Sequence, residues 1–207
     1  MNTAWAIAAT WIGVIGGVIT LIKGLREYRR AQQWKRSEFL ASEVDRFFAN
    51  PRVATALLLI DYSRIQLEPD GRRATASTLQ TQTLDDLLMT SALRVHTQFT
   101  DEIESFSAPE MLAREAFDEV LTGFERFDHH IEIGLIEVAD AKVYLGYWVE
   151  KFADPRSKWK PPEFYAALAT FVEEYEYRGA ARLFRAFHHP LPAHSGVTRK
   201  AGHLPDR

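Results

Sequence analysis

The densest group of side chains able to hold a metal or move a proton is Glu125, Asp128, His129, His130 and Glu132. On a helix, positions three and four apart share a face, so Glu125, His129 and Glu132 fall together. Carboxylate-histidine helices build di-iron sites in bundles, but those sites need Glu-x-x-His on two helices and two further carboxylates. This chain has no Glu-x-x-His; it has one His-x-x-Glu, His129 to Glu132, in the reverse order. Phe124, Phe127 and Ile131 mark the stripe expected to be buried, which leaves Glu125, Asp128, His129 and Glu132 outward on a solvated face. Glu125, His129 and Glu132 are the only metal candidates, and they would serve a metal-dependent enzyme.

The other chemically capable residues read as structural. Asp85 and Asp86 follow Thr83, and Asp140 lies early in its helix; acidic charge there is favoured by the helix dipole. His188, His189 and His194 sit in a polar terminal stretch. No Gly-x-Ser-x-Gly elbow and no phosphate-cradling Gly-rich loop is present. The chain has no Cys, which excludes a thiol nucleophile, a Cys-ligated zinc and a disulfide scaffold. No catalytic residue and no cofactor are expected.

The strongest pattern lies elsewhere. Residues 4–22, AWAIAATWIGVIGGVITLI, are nineteen residues without a charge. A helix of that length spans roughly 28 Å, close to the ~30 Å hydrocarbon thickness of a bilayer. Lys23, Arg26, Arg29, Arg30, Lys35 and Arg36 follow, against the single acid Glu27. Nothing basic precedes the run, and it ends in Thr20-Leu21-Ile22-Lys23, a poor signal-peptide cleavage site. These features predict an uncleaved transmembrane anchor over residues 1–22. The positive-inside rule then places its amino terminus outside and the rest of the chain in the bacterial cytoplasm, at the inner membrane. Ala9, Gly13 and Gly17 recur at i, i+4 and i+8, the spacing that lets two membrane helices approach closely, so self-association through this stripe is expected.

Charge changes sign along the chain. Residues 23–36 carry six basic and one acidic side chain, residues 37–177 carry 13 basic and 26 acidic, and residues 178–207 carry six basic and one acidic. The basic collar suits contact with an anionic membrane surface. The acidic body lacks the concentrated basic face that nucleic-acid binding requires, so no nucleic-acid partner is expected.

Stepping through Pro51, Pro69, Pro109, Pro155, Pro161, Pro162 and Pro190 divides the rest into helical stretches. A stalk helix over residues 23–50 carries Trp34, Phe39, Leu40, Val44, Phe47 and Phe48 at helical spacing, with Asn50-Pro51 as its stop. Helices are expected over 52–66 and 78–98, separated by a polar loop. The buried stripe of the second would be Leu84, Leu87, Leu88, Leu93 and Val95. Ser107-Ala108-Pro109-Glu110 is a capping-box start for a helix running to about Ile133. Gly134 is its left-handed stop, with Leu135 and Ile136 folding back. Residues 137–152 are apolar on several faces, which predicts a central helix. Pro162-Glu163 opens another helix, and Gly179 separates a short last one ending at Phe187. The fold class is all-α: a transmembrane helix followed by a cytoplasmic bundle of six or seven helices over residues 51–187, with residues 188–207 as a disordered tail.

Several blocks occur together: Trp34-Lys35-Arg36-Ser37-Glu38-Phe39-Leu40, Phe48-Ala49-Asn50-Pro51, Leu59-Ile60-Asp61-Tyr62, FERFDHHIEIGLIEVAD, Tyr144 through Trp148, and Tyr175, Tyr177, Gly179 and Leu183-Phe184. The ensemble resembles an uncharacterised bacterial family of short single-pass membrane proteins with a helical cytoplasmic domain. The resemblance implies the same anchored layout and brings no catalytic residues. The function expected is a non-enzymatic protein-interaction or regulatory module with a protein partner. Its alternative is a membrane-acting effector of a toxin or anti-phage system that oligomerises through its anchor.

Overall fold

A computed structural model describes residues 3–75, 81–95 and 106–192; the side chains of residues 3–10, 12–16 and 18 lie outside that description. Two compact units are present, Met1–Val44 and Asp45–Arg207. Seven α-helices and one two-stranded sheet form among the described residues.

Helix α1 runs unbroken over Thr3–Ala49. In the first unit the six basic residues of the collar are all exposed along it, as are Trp11, Ile19, Leu21, Leu25 and Trp34. Among the described residues no helical stretch is long and apolar enough to cross a membrane. Ala9 and Gly13 of the expected association stripe fall outside the described side chains; Gly17 faces open space.

The second unit is built around α4 (Ala108–Glu132). Ala113, Ala116, Phe117, Val120, Leu121, Phe124 and Phe127 recur at helical spacing and are all buried. Ser107 starts this helix as expected: its hydroxyl accepts from the Glu110 amide, and the Glu110 carboxylate accepts from the Ser107 amide at 2.8 Å. Gly134 ends it at φ 74°, a conformation that glycine adopts without a Cβ penalty. Ile136 then folds back into the core, while Leu135 remains exposed.

Around α4 pack the end of α1, then α2 (Pro51–Asp61), α5 (Val138–Ala153), α6 (Pro162–Glu174) and α7 (Arg178–Ala186). Phenylalanines bind these elements together. Phe124 of α4 lies 5.7 Å from Phe47, 5.7 Å from Phe152 and 5.5 Å from Phe184, ring centre to ring centre. Phe117 lies 5.8 Å from Phe164. Such tilted and edge-on pairs add about 0.5–1.5 kcal/mol each beyond the area they bury.

Three expectations need correction. The stretch 52–66 is not one helix: α2 ends at Asp61, and Arg64–Leu67 form β1. Ile65 and Leu67 point inward and Arg64 and Gln66 outward, a period of two that a helix cannot satisfy. Nor are residues 82–92 one helix. Gln82–Asp85 form β2, antiparallel to β1 with Ile65 opposite Leu84, and only then does α3 (Asp86–Ala92) begin. Asp85 belongs to both, its carboxylate capping the Leu88 amide at 2.9 Å. Leu84 and Leu93 are buried as the expected stripe requires, but Leu87 is exposed.

The third correction concerns α5, which is peripheral. It buries only Ala141, Leu145, Val149, Lys151, Phe152 and Ala153, and it leaves Val143, Tyr144 and Tyr147 in solvent. Its extra apolar residues therefore make a surface, not a second core face.

Candidate functional site

The residues singled out for metal chemistry do not converge. Glu125 Oε1 accepts from the Gly179 amide at 3.0 Å. It thereby caps the first turn of α7, whose own N-cap residue, Tyr177, supplies no side-chain bond. A Cβ on Gly179 would stand 3.1 Å from the Cα of Glu125, so this glycine sets the approach of α7 to α4. Gly179 is thus inside the last helix and not ahead of it. Asp128 is buried, contrary to the outward placement expected, and takes two bonds from Arg182 at 2.9 and 2.6 Å. Glu132 lies 3.6 Å from the same guanidinium, and His129 is exposed. Among the described residues no group of three or more His, Asp or Glu is placed to hold a metal ion. The cluster fastens α7 to α4.

A different cluster brings unusual chemistry together. Two lysines are buried at the junction of α2, α3, α5 and the segment before α6: Lys151, 2% exposed, and Lys160, 5% exposed. Lys160 Nζ donates to Asp86 Oδ1 and to the Tyr62 carbonyl, each at 2.7 Å. Lys151 Nζ pairs with Asp61, which also accepts from the Tyr147 hydroxyl at 3.4 Å. The Lys151 ammonium lies over the rings of Trp159 at 4.0 Å, Tyr147 at 4.5 Å and Trp148 at 5.9 Å. Isolated buried ammonium groups cost several kcal/mol, and here each has a carboxylate within bonding distance.

The two ammonium groups respond differently to burial. Burial pulls the Lys160 pKa below the ordinary lysine range, and Asp86 only partly offsets it. Burial also disfavours the Lys151 charge, but its bonds to Asp61 and Tyr147 outweigh that, and its pKa rises. Each lysine is engaged by a carboxylate. Their bonds tie α2, α3, α5 and the segment before α6 together.

Above them is an aromatic surface. Tyr147 and Trp159 are 53% and 46% exposed although both cover Lys151, and Tyr62 is exposed beneath the Arg73 guanidinium at 5.3 Å. Val143, at 79%, and Tyr144 extend the surface along α5. On the same helix, a Cβ at Gly146 would meet only the Lys142 side chain. Exposed Trp and Tyr thus lie over buried lysines that are paired with carboxylates.

The sequence shows Tyr144, Tyr147 and Trp148 as apolar positions but not which way they face. The Lys151–Asp61 and Lys160–Asp86 pairs span separations of 90 and 74 residues, and no local spacing reports them. No protein-family profile, no curated protein and no solved structure matches the chain.

Proposed function

We propose that the chain is a single-pass protein of the bacterial inner membrane, held by residues 4–22 with its amino terminus outside. Its cytoplasmic helical body binds another protein through the aromatic surface of α5 and Trp159, without a catalytic role of its own. The observation that carries this reading is the exposure of Val143, Tyr144, Tyr147 and Trp159 over a buried, charge-balanced lysine cluster. The uncharged run and the exposed basic collar support the anchor, with each collar residue near an anionic surface adding about 1 kcal/mol. The resemblance to anchored helical proteins implies the same layout.

Two measurements on the full chain test this. Residence in the membrane fraction after alkaline extraction is expected for the native chain and is expected to be lost in Val14→Arg with Ile15→Arg. Full extraction of the native chain would refute the anchor. Val143→Glu with Tyr144→Glu alters the surface without touching the lysine cluster. It is expected to weaken recovery of a reproducible cross-linked partner by about tenfold or more. Unchanged recovery would refute the surface. Self-association through Ala9, Gly13 and Gly17 is a further part of the proposal, motivated by their i, i+4, i+8 spacing. Gly13→Ile with Gly17→Ile should abolish dimers in membranes.

A further inference from the structure

The exposed face of α5 is acidic at both ends. Asp140, Val143, Tyr147 and Glu150 follow one another at spacings of three, four and three, so they form one ridge along the helix. All four are exposed. At about 1.5 Å per residue the two carboxylates stand roughly 15 Å apart along the axis, with the apolar pair between them. Elsewhere in the body such acids are spent internally: Asp61, Asp86 and Asp154 pair with Lys151, Lys160 and Arg156. Among the described residues neither Asp140 nor Glu150 has an ion pair. The cations of the same helix do not serve them. Lys151 is buried on Asp61, and Lys142 Nζ donates to the Phe187 carbonyl at 3.1 Å.

The dipole of α5 accounts for Asp140 and not for Glu150. Asp140 lies in the first turn, where negative charge is favoured; Glu150 lies in the last turn, at the negative end of the dipole. The helix itself disfavours an unpaired acid there. Charge then sorts the possible occupants of the ridge. A second copy would set acid against acid, whichever way the two helices run. An anionic bilayer surface and a nucleic-acid backbone are repelled for the same reason. A basic helix is attracted at both ends, and its own apolar residues meet Val143 and Tyr147. Beside the ridge, Gly146 has no Cβ and leaves room for a helix to approach. Arg73 lies over Tyr62 and Lys158 adjoins Trp159, so the attraction is confined to the ridge.

We propose that the α5 ridge docks a basic amphipathic helix of another protein, with Lys or Arg of that helix at Asp140 and Glu150 and its apolar residues on Val143 and Tyr147. This rests on the reading of the α5 surface as protein-binding and adds the chemistry of the partner.

The probe is a fluorescent, alanine-rich helical peptide carrying Lys, Leu, Leu and Lys at the spacings of the ridge. It is titrated against the full chain in zwitterionic nanodiscs, with empty nanodiscs as the blank. Its counterpart carries Glu in place of both Lys. The Lys peptide is expected to bind at least about fivefold more tightly than the Glu peptide, and the order to reverse in Asp140→Lys with Glu150→Lys. The preference should shrink at 0.5 M salt, because exposed charge pairs are screened. Asp140→Asn with Glu150→Gln is the milder variant and should remove the preference without reversing it; circular dichroism shows whether each variant keeps the fold. An order unchanged in both variants overturns the proposal. Equal binding of the two peptides to the native chain, lost in Val143→Glu with Tyr144→Glu, also overturns it while leaving the protein-binding surface standing. Binding of neither peptide overturns the basic partner too, and a cross-linked adduct at Tyr147 then shows whether the surface itself survives.

Discussion

At the scale of single residues, two buried ammonium groups organise one end of the body. Asp86→Ala would leave Lys160 without its carboxylate in a site where its side chain is fully buried. The expected cost is about 3 kcal/mol, read as a lower midpoint in urea unfolding. Lys160→Met in the same background should recover most of that loss, because the uncompensated charge is then gone. A second residue couples stability to acid. Glu110 is held down to about 2 by the Ser91 hydroxyl first, then by the Ser107 amide and hydroxyl and by Arg94, against the opposing pull of burial. Its unfolded value is near 4.5, so the unfolded chain takes up the proton first as pH falls. The stability it contributes is complete above pH 4.5 and is lost on the way down to pH 2. Glu110→Gln should flatten the fall in thermal midpoint across that window while lowering the midpoint at pH 7. An unchanged acid profile would show that the carboxylate carries no such coupling.

At the scale of elements, close approach decides which helices touch. A Cβ on Gly123 would lie 2.3 Å from the ring of Phe47, which is buried at the end of α1. Gly123→Ala is expected to cost about 1–3 kcal/mol through overpacking. Measured by urea unfolding, that penalty should shrink when Phe47→Leu makes room. Helix ends of this kind were readable where their signals are local. Ser107 with Glu110 reports a start, Gly134 a stop, and Asn50-Pro51 a boundary at which the Asn50 side chain accepts from the Arg52 amide at 2.9 Å. The sheet was not readable, because four-residue strands flanked by helix-compatible sequence offer too short an alternation to outweigh helical spacing. The position of α5 is hidden in the sequence for a related reason: Val143, Tyr144 and Tyr147 add hydrophobicity without revealing whether a neighbour covers them. Glu125 and Asp128 were legible as a cluster, but their partners Gly179 and Arg182 are 54 residues away.

At the scale of the whole molecule, the sequence places an uncharged run, a basic collar, an acidic body and a basic terminal segment in that order. Each of the proposed roles uses one of them. In the proposal the run and collar serve as the anchor, and the body carries the aromatic surface of α5. The body's surface is where these roles become a single function, and it can be probed in place. A photo-cross-linking amino acid at Tyr147 of the full chain, in native membranes, reads contact at that surface; the same group at Thr122, exposed on α4, is the control. The account predicts a discrete adduct from position 147 that is absent from position 122 and disappears with Val143→Glu and Tyr144→Glu. No adduct at 147, or equal adducts from both positions, would contradict it.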